Sequence, residues 1–143
     1  MEKEIKNLDE LREYGQTFVD GLIKQNSHAT IIGLSGELGS GKTAFVKSIS
    51  SIMEINEEVS SPTFVIAKFY PLNNRNWNQL VHIDAYRIEH TDELRALRFG
   101  ELIQDPKNLI MIEWPELIEA SLPQDTTMLK FKFINETVRS ITQ

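Results

Sequence analysis

The segment over residues 36–43 limits the fold of this chain more than any other feature. It reads Gly-Glu-Leu-Gly-Ser-Gly-Lys-Thr and matches the pattern G-x-x-x-x-G-K-[ST] at every fixed position. The largely apolar run over residues 30–35 predicts a buried strand before it, and residues 43–52 predict a helix after it. A strand, a glycine-rich turn and a helix in this order are typical of α/β domains that bind phosphate groups.

The residue types of this loop suit a nucleotide with its metal ion. Its glycines allow backbone angles that turn successive amides toward an anion. Lys42 supplies a positive charge for the β- and γ-phosphates, and the Thr43 hydroxyl can ligate the accompanying Mg²⁺. We therefore expect a nucleotide site at this loop.

Two acidic residues directly follow apolar runs that predict buried strands. Asp84 comes after residues 80–83, and Glu113 comes after residues 109–112. Because ligands of open α/β sheets lie outside the carboxyl ends of the strands, both acids are expected to face the phosphate site. One would hold Mg²⁺, directly or through water, and the other would orient or deprotonate the attacking water. His82 shares a strand face with Asp84, and we interpret it as a hydrogen-bonded core residue.

The rest of the chain predicts a single α/β domain over residues 1–143. We expect a helix that begins at Asn7, a hairpin over residues 64–83, a helix from Thr91 through Leu97, a helix that begins at Pro115 and a terminal hairpin over residues 128–141. Hairpins beside strands that alternate with helices favour a mixed sheet.

Composition excludes several classes of protein. The chain has no cysteine, which excludes disulfides, thiolate zinc sites and cysteine nucleophiles. Its net charge of −6 argues against a strong sequence-independent hold on nucleic acid. Neither the apolar core of a signal peptide nor an apolar run long enough to cross a bilayer is evident, so we expect a cytoplasmic protein with no membrane partner.

Four motifs follow one another along the chain: GELGSGKT at 36–43, VSSPTF at 59–64, HIDAYR at 82–87 and EWPE at 113–116. Together they resemble the TsaE-type family of small ATPases in bacterial tRNA threonylcarbamoyladenosine biosynthesis. The resemblance covers nearly the whole chain. It implies an α/β, three-layer P-loop NTPase fold with a mixed, mainly parallel central sheet flanked by helices.

The resemblance also implies the residues of the site, with ATP and Mg²⁺ as ligands. Thr43 and Glu113 would hold the metal. Lys42, Asp84, Glu113 and Thr63 would be the catalytic residues. The implied nucleotide contacts are Gly36, Glu37, Leu38, Gly39, Ser40, Gly41, Lys42, Thr43, Trp114 and Arg139, with the adenine side near Asn7 and Leu8.

The implied function is ATP binding and hydrolysis in support of threonylcarbamoyl transfer to adenosine 37 of tRNAs that read codons beginning with A. The implied partners are a threonylcarbamoyl transferase subunit and its scaffold partner subunit, and tRNA would be reached indirectly through that complex. Hydrolysis would reset the complex, slowly in the isolated protein and faster with the partners. Two alternatives remain open: a small-molecule or nucleotide kinase, and a nucleotide-dependent adaptor with negligible turnover.

Overall fold

The computed structural model describes residues 1–57, 59 and 66–143. Its described strands are β1 (Glu2–Ile5), β2 (Thr30–Ser35), β3 (Ala67–Pro71), β4 (Gln79–Asp84), β5 (Asn108–Glu113), β6 (Thr127–Phe133) and β7 (Arg139–Thr142). They form one sheet in the order β1-β7-β6-β2-β5-β4-β3. The four inner strands, β6, β2, β5 and β4, are parallel, whereas β3, β7 and β1 extend the sheet in antiparallel pairs. The mixed sheet with a parallel centre confirms the predicted fold class.

Helices cover both faces of this sheet. The helical elements are α1 (Leu8–Asp20), α2 (Lys42–Ile52), α3 (Thr91–Ala96), α4 (Phe99–Gln104) and two 3₁₀ segments, Ala85–Arg87 and Pro115–Ser121. Phe45 of α2 belongs to the core on one face, and Phe99 of α4 belongs to the core on the other. The result is three layers, as expected. Within the described residues, no helix has the length and apolar character to cross a bilayer.

Helix α1 begins where the sequence predicts. The Asn7 side chain accepts a hydrogen bond from the Glu10 amide at 2.8 Å, and the Glu10 carboxylate accepts one from the Lys6 amide at 2.7 Å. These contacts satisfy amides that have no partner inside the helix.

Three elements differ from the sequence-based expectation. Strand β1 was not expected because most of its side chains are exposed and it gains its order from pairing with β7. The helix expected through Leu97 ends earlier, because the backbone at Arg98 adopts a left-handed conformation (φ 58°, ψ 44°) and α4 follows as a separate helix. The first strand of the expected hairpin is β3, whereas the predicted strand residues 64 and 65 lie outside the described part of the chain.

The alternation of side chains along β4 and β5 directs polar groups toward α2. Leu80 and Met111 belong to the core beneath α1 and α2, whereas Val81 and Ile110 belong to the opposite core. Because the pleat has a period of two, His82, Asp84 and Glu113 follow Leu80 and Met111 onto the α2 face. The parallel register pairs Asp84 directly with Glu113. The carboxyl ends of both strands therefore carry their acids beneath the loop that precedes α2.

Candidate functional site

The loop between β2 and α2 depends on backbone angles that favour glycine. Gly36, Gly39 and Gly41 have φ values of 148°, 78° and 105°. A Cβ atom at Gly36 would also lie 2.5 Å from the carbonyl oxygen of Phe131, so a larger residue does not fit. No described side chain caps α2 at Gly41. The first amides of this helix are therefore available to an anion, as is typical of phosphate-binding loops.

Lys42 is turned inward beside this loop and is only 5% exposed. Its ammonium group donates a hydrogen bond to the Gly36 carbonyl and lies 3.8 Å from the centre of the Trp114 ring. Burial lowers the pKa of Lys42, and the carboxylates of Glu113, Glu116 and Asp84 act in the opposite direction. The positive charge thus lies within the loop, held by a carbonyl and an aromatic face that a phosphate group can replace.

Thr43 and Glu113 form the closest link between the loop and the strand ends. The Thr43 hydroxyl lies 3.1 Å from Oε1 and 3.2 Å from Oε2 of Glu113. His82 Nε2 lies 2.6 Å from Glu113 Oε2. A hydroxyl and a carboxylate are hard oxygen ligands of the kind that Mg²⁺ accepts, with waters and phosphate oxygens completing its shell. The donor set therefore fits Mg²⁺, and no cluster of three or more His, Cys, Asp or Glu suited to a metal occurs in the described residues.

Asp84 lies next to Glu113 but has a different environment. Its Oδ1 accepts a hydrogen bond from the Tyr86 amide at 3.1 Å and thereby caps the 3₁₀ segment Ala85–Arg87. Burial raises the pKa of Asp84, and the charge of Glu113 adds to this, while the Tyr86 amide, Arg87 and His82 oppose it. Asp84 is thus a buried carboxyl that holds its proton more tightly than usual.

Trp114 is held in a strained conformation directly after β5. Its φ of 60° and ψ of 49° lie in the left-handed region, which a bulky residue rarely occupies. Its amide donates to the Leu34 carbonyl at 3.2 Å, and its ring packs against Tyr86 with centroids 5.1 Å apart. This backbone turn keeps the indole beside Lys42, at the inner side of the loop over residues 36–43.

Arg139 contacts the glycine-rich loop over residues 36–43, called the phosphate loop below, on the side away from Lys42 and Glu113. Its Nε donates to the Gly39 carbonyl at 2.9 Å, and its Nη1 donates to the Asn135 carbonyl at 2.6 Å. The guanidinium carbon also lies 4.5 Å from the centre of the Phe133 ring. The guanidinium thus ties the loop to the β6–β7 hairpin, and the nucleotide contact expected for Arg139 stays a prediction.

A mainly apolar cavity of about 230 Å³ adjoins the start of α2. Its lining includes Asn7 and Leu8, the two residues expected near adenine, and Arg139. The remaining lining residues are Ile5, Leu11, Ser40, Gly41, Ala44, Phe131, Glu136, Thr137 and Ile141. Because ligand sites combine apolar walls with a few polar groups, this cavity suits a flat apolar ring attached to phosphates at the loop.

The structure brings most of the predicted site residues together. Lys42, Thr43, Asp84, Glu113 and Trp114 surround the inner side of the loop. Of the other loop positions, Ser40 is fully buried, whereas Glu37 and Leu38 are exposed. Thr63 lies outside the described residues.

Sequence reasoning missed two features of the site. His82 is buried, as the interpretation of it as a core residue predicted. Its contact with Glu113 was not predicted. The spacing of two residues from Asp84 placed His82 on the correct strand face, but the register of β4 with β5, which brings Glu113 beside it, had no signal in the sequence. Tyr86, which packs on Trp114, had no comparable signal because its position depends on the 3₁₀ segment after β4.

Known proteins are similar to this chain in sequence and in fold. The chain matches the model of a family described as "Threonylcarbamoyl adenosine biosynthesis protein TsaE" over residues 5–141. It is 37% identical to the tRNA threonylcarbamoyladenosine biosynthesis protein TsaE of Bacillus subtilis (strain 168) over 112 residues, which are 78% of this chain and 67% of the relative. It is 34% identical to the protein of the same name from Rickettsia typhi over 139 residues, which are 96% of this chain and 86% of the relative.

A solved structure extends the similarity to the whole fold. The crystal structure of Bacillus subtilis YdiB superposes on 99% of this chain and 82% of that protein, with a TM-score of 0.73 and 25% sequence identity. The family match, at residues 5–141, includes the phosphate loop, both strand-end acids and Arg139. The chain therefore belongs to the TsaE family, whose role is in tRNA threonylcarbamoyladenosine biosynthesis.

Proposed function

We propose that this protein binds ATP with Mg²⁺ and hydrolyses it. The observation that carries the proposal is the contact between Thr43 and Glu113, in which the loop hydroxyl lies 3.1 and 3.2 Å from the two carboxylate oxygens. This contact joins a phosphate-binding loop to a buried acid at a strand end, the pairing that nucleotide hydrolysis needs around its metal.

The chain's own groups suit each part of a bound nucleotide. The loop amides and the first amides of α2 would cradle the β- and γ-phosphates, and Lys42 would move from the Gly36 carbonyl to a phosphate oxygen. Thr43 and Glu113 would hold Mg²⁺. When bound there, Mg²⁺ would neutralise charge that develops on the transferred phosphoryl group. The apolar cavity beside Asn7 and Leu8 would receive adenine.

Asp84 would orient or deprotonate the attacking water. Its raised pKa moves the carboxyl toward the range in which a general base is effective, and its cap contact with Tyr86 fixes its direction. Thr63, which matches the switch-like loop of the family motif, would help to place this water. The whole chain over residues 1–143 would act as one domain.

We propose that hydrolysis serves a complex with a threonylcarbamoyl transferase subunit and its scaffold partner subunit, in the cytoplasm. The names of the relatives set them in tRNA threonylcarbamoyladenosine biosynthesis, a pathway that acts on tRNA. The net charge of −6 supports a division of labour in which the partners contact tRNA and this subunit acts indirectly. ATP hydrolysis would reset the complex between turnovers.

A kinase would need arginines that clamp the transferred phosphate and a pocket for its acceptor. Arg95 and Arg98 of the α3–α4 segment lie on exposed surface, within 3.7 Å of Asp92 and 4.0 Å of Glu101, respectively. Both pairs are weak surface contacts, and among the described residues no hydrogen bond or ion pair links either arginine to the loop over residues 36–43, so they do not favour the kinase alternative.

Phosphate release from ATP tests the proposal directly. We expect slow release from the isolated protein with Mg²⁺, a faster rate after addition of the two partner subunits, and no release in EDTA. ADP formation that requires a small-molecule acceptor would point to a kinase. Absence of turnover even with the partners and Mg²⁺ would point to an adaptor.

The affinity for the partner subunits tests the resetting role. Because binding free energies are reciprocal, a nucleotide that favours the docked form must bind more tightly in the complex. We expect the affinities with a non-hydrolysable ATP analogue, with ADP and without nucleotide to differ. Equal affinities in all three states would contradict the resetting role.

A further inference from the structure

The buried imidazole of His82 makes a contact that its position in the core does not require. The side chain is fully buried on β4, between the apolar residues Leu80 and Met111 and the strand-end acids of the same face. Burying a polar ring is costly unless it is hydrogen-bonded, and an apolar residue of similar size would fill the same space. The hydrogen-bond partner that the described structure gives this ring is the carboxylate of Glu113, at 2.6 Å from Nε2.

The fold makes this contact through strand register. His82 pairs with Met111 in the parallel ladder, and Glu113 is the next residue on the same face of β5. Asp84, two residues beyond His82, pairs with Glu113 itself. The His82 ring therefore approaches Glu113 from below, on the core side, while the loop hydroxyl of Thr43 approaches from α2.

We propose that His82 is a positioning residue that holds Glu113 in the orientation needed to bind Mg²⁺; this inference rests on the proposed function. A free glutamate side chain has several rotamers, and a metal ligand that must be ordered at binding loses affinity. His82 bonds Oε2 at 2.6 Å, whereas Oε1 contacts only Thr43, at 3.1 Å, among the described side chains. Oε1 is thus left for the cation while Oε2 anchors the carboxylate.

The burial of His82 and Glu113 strengthens the hydrogen bond that orients the carboxylate. His82 is fully buried and Glu113 is 5% exposed, so little water competes for the bond between them. Loss of the imidazole donor would leave a buried carboxylate to turn toward another partner. Partners that orient metal ligands typically change metal affinity by about 10–100-fold when they are removed.

The test compares nucleotide affinity with and without Mg²⁺ in three variants. His82→Leu removes the donor, His82→Gln keeps an N–H donor near the position of Nε2, and Ile83→Val shortens a buried residue on the opposite face of the same strand. Calorimetric titration with ADP measures the affinity in Mg²⁺ and in EDTA. The quantity compared is the affinity in Mg²⁺ divided by the affinity in EDTA. We expect His82→Leu to lower this ratio about 10-fold. His82→Gln should keep most of the ratio, and Ile83→Val should not change it.

Several outcomes would overturn the inference. An unchanged ratio in His82→Leu would overturn it, and so would an equal loss in His82→Leu and His82→Gln, because that pattern indicates packing. In the double variant His82→Leu/Glu113→Gln, the ratio should be no lower than in Glu113→Gln alone. A further independent decrease would mean that His82 acts elsewhere.

A spectroscopic measurement separates this inference from the proposed function. In ¹⁵N-histidine NMR spectra of the nucleotide-free protein, the His82 Nε2–H signal should shift strongly in Glu113→Gln, and an unchanged signal would overturn the inference. A wild-type protein whose ADP affinity does not respond to Mg²⁺ would overturn the proposed metal site and the inference with it. If Mg²⁺ raises the ADP affinity of the wild-type protein and of His82→Leu to the same extent, the inference is overturned and the proposed metal site is not.

Discussion

The phosphate loop is supported differently on its two sides. On the inner side, the groups that meet the loop are buried and ionisable: Lys42, Asp84 and Glu113. On the outer side, the half-buried Arg139 donates solvent-exposed hydrogen bonds to the backbone carbonyls of Gly39 and Asn135. Charges in a buried site interact strongly and shift each other's pKa, whereas exposed contacts are weakened by water and salt. We therefore expect the inner side to carry the proposed chemistry and the outer side to adjust the shape of the loop.

Replacement of Lys42 should give the largest effect on the inner side. Lys42→Ala removes the positive charge that lies inside the loop, so we expect lower ATP affinity and a loss of turnover beyond about 10³-fold. Calorimetry gives the affinity and phosphate release gives the rate. Unchanged nucleotide binding in this variant would mean that the loop is not the phosphate site.

Asp84→Asn should reduce turnover by roughly 10³-fold while ATP affinity changes little, because the amide keeps the oxygen that caps Tyr86 but cannot act as a base. Single-turnover hydrolysis with saturating ATP measures the effect. A variant with impaired binding and an intact rate would instead mark Asp84 as a ligand of the metal.

Glu113→Ala should weaken nucleotide binding in Mg²⁺ by about 100-fold and affect binding in EDTA much less, because the carboxylate faces Thr43 at the proposed metal site. Paired titrations in Mg²⁺ and EDTA provide the measurement. If the Mg²⁺ titration of the variant matched that of the parent protein, Asp84 would become the better candidate for the metal.

Arg139→Met tests the outer side. The variant keeps an apolar stem against Phe133 but loses the bonds to Gly39 and Asn135. Because these hydrogen bonds are exposed to solvent, we expect only about a 5-fold loss of ATP affinity, equal in Mg²⁺ and in EDTA. A loss confined to Mg²⁺ would show that the two sides of the loop do not act separately.

The smallest expected effect is on stability. Because burial raises the pKa of Asp84, the folded protein binds this proton more tightly than the unfolded chain, and the carboxylate destabilises the fold above the raised pKa. Asp84→Asn should raise the Tm of the nucleotide-free protein at pH 7 by about 2–4 °C if the gain is about 1 kcal/mol. The gain should decrease as the pH falls through the raised pKa of folded Asp84, and it should disappear below about pH 4, the ordinary pKa of aspartate in the unfolded chain. A gain that persists in acid would contradict this electrostatic explanation.

Local patterns predicted the elements that carry the site. The glycine spacing predicted the loop, and the start of α1 was evident from Asn7 and Glu10. The acids after two apolar runs were correctly expected to share one edge of the sheet, because parallel strands align their carboxyl ends. The break at Arg98 had no such signal: its left-handed backbone turns the chain between α3 and α4, which bury Leu94 and Phe99 in the same core.

The sequence by itself thus determined the chemistry available to this protein: a phosphate loop, a lysine, a hydroxyl and two strand-end acids. Only the tertiary structure decided which of these groups touch. The contact of His82 with Glu113 joins residues 31 positions apart, and that of Arg139 with Gly39 joins residues 100 apart. The physical reason is that residue type and short-range spacing set the local backbone conformation and the hydrogen bonds that a side chain can form. Pairs this far apart in sequence meet only through the order and register of the strands.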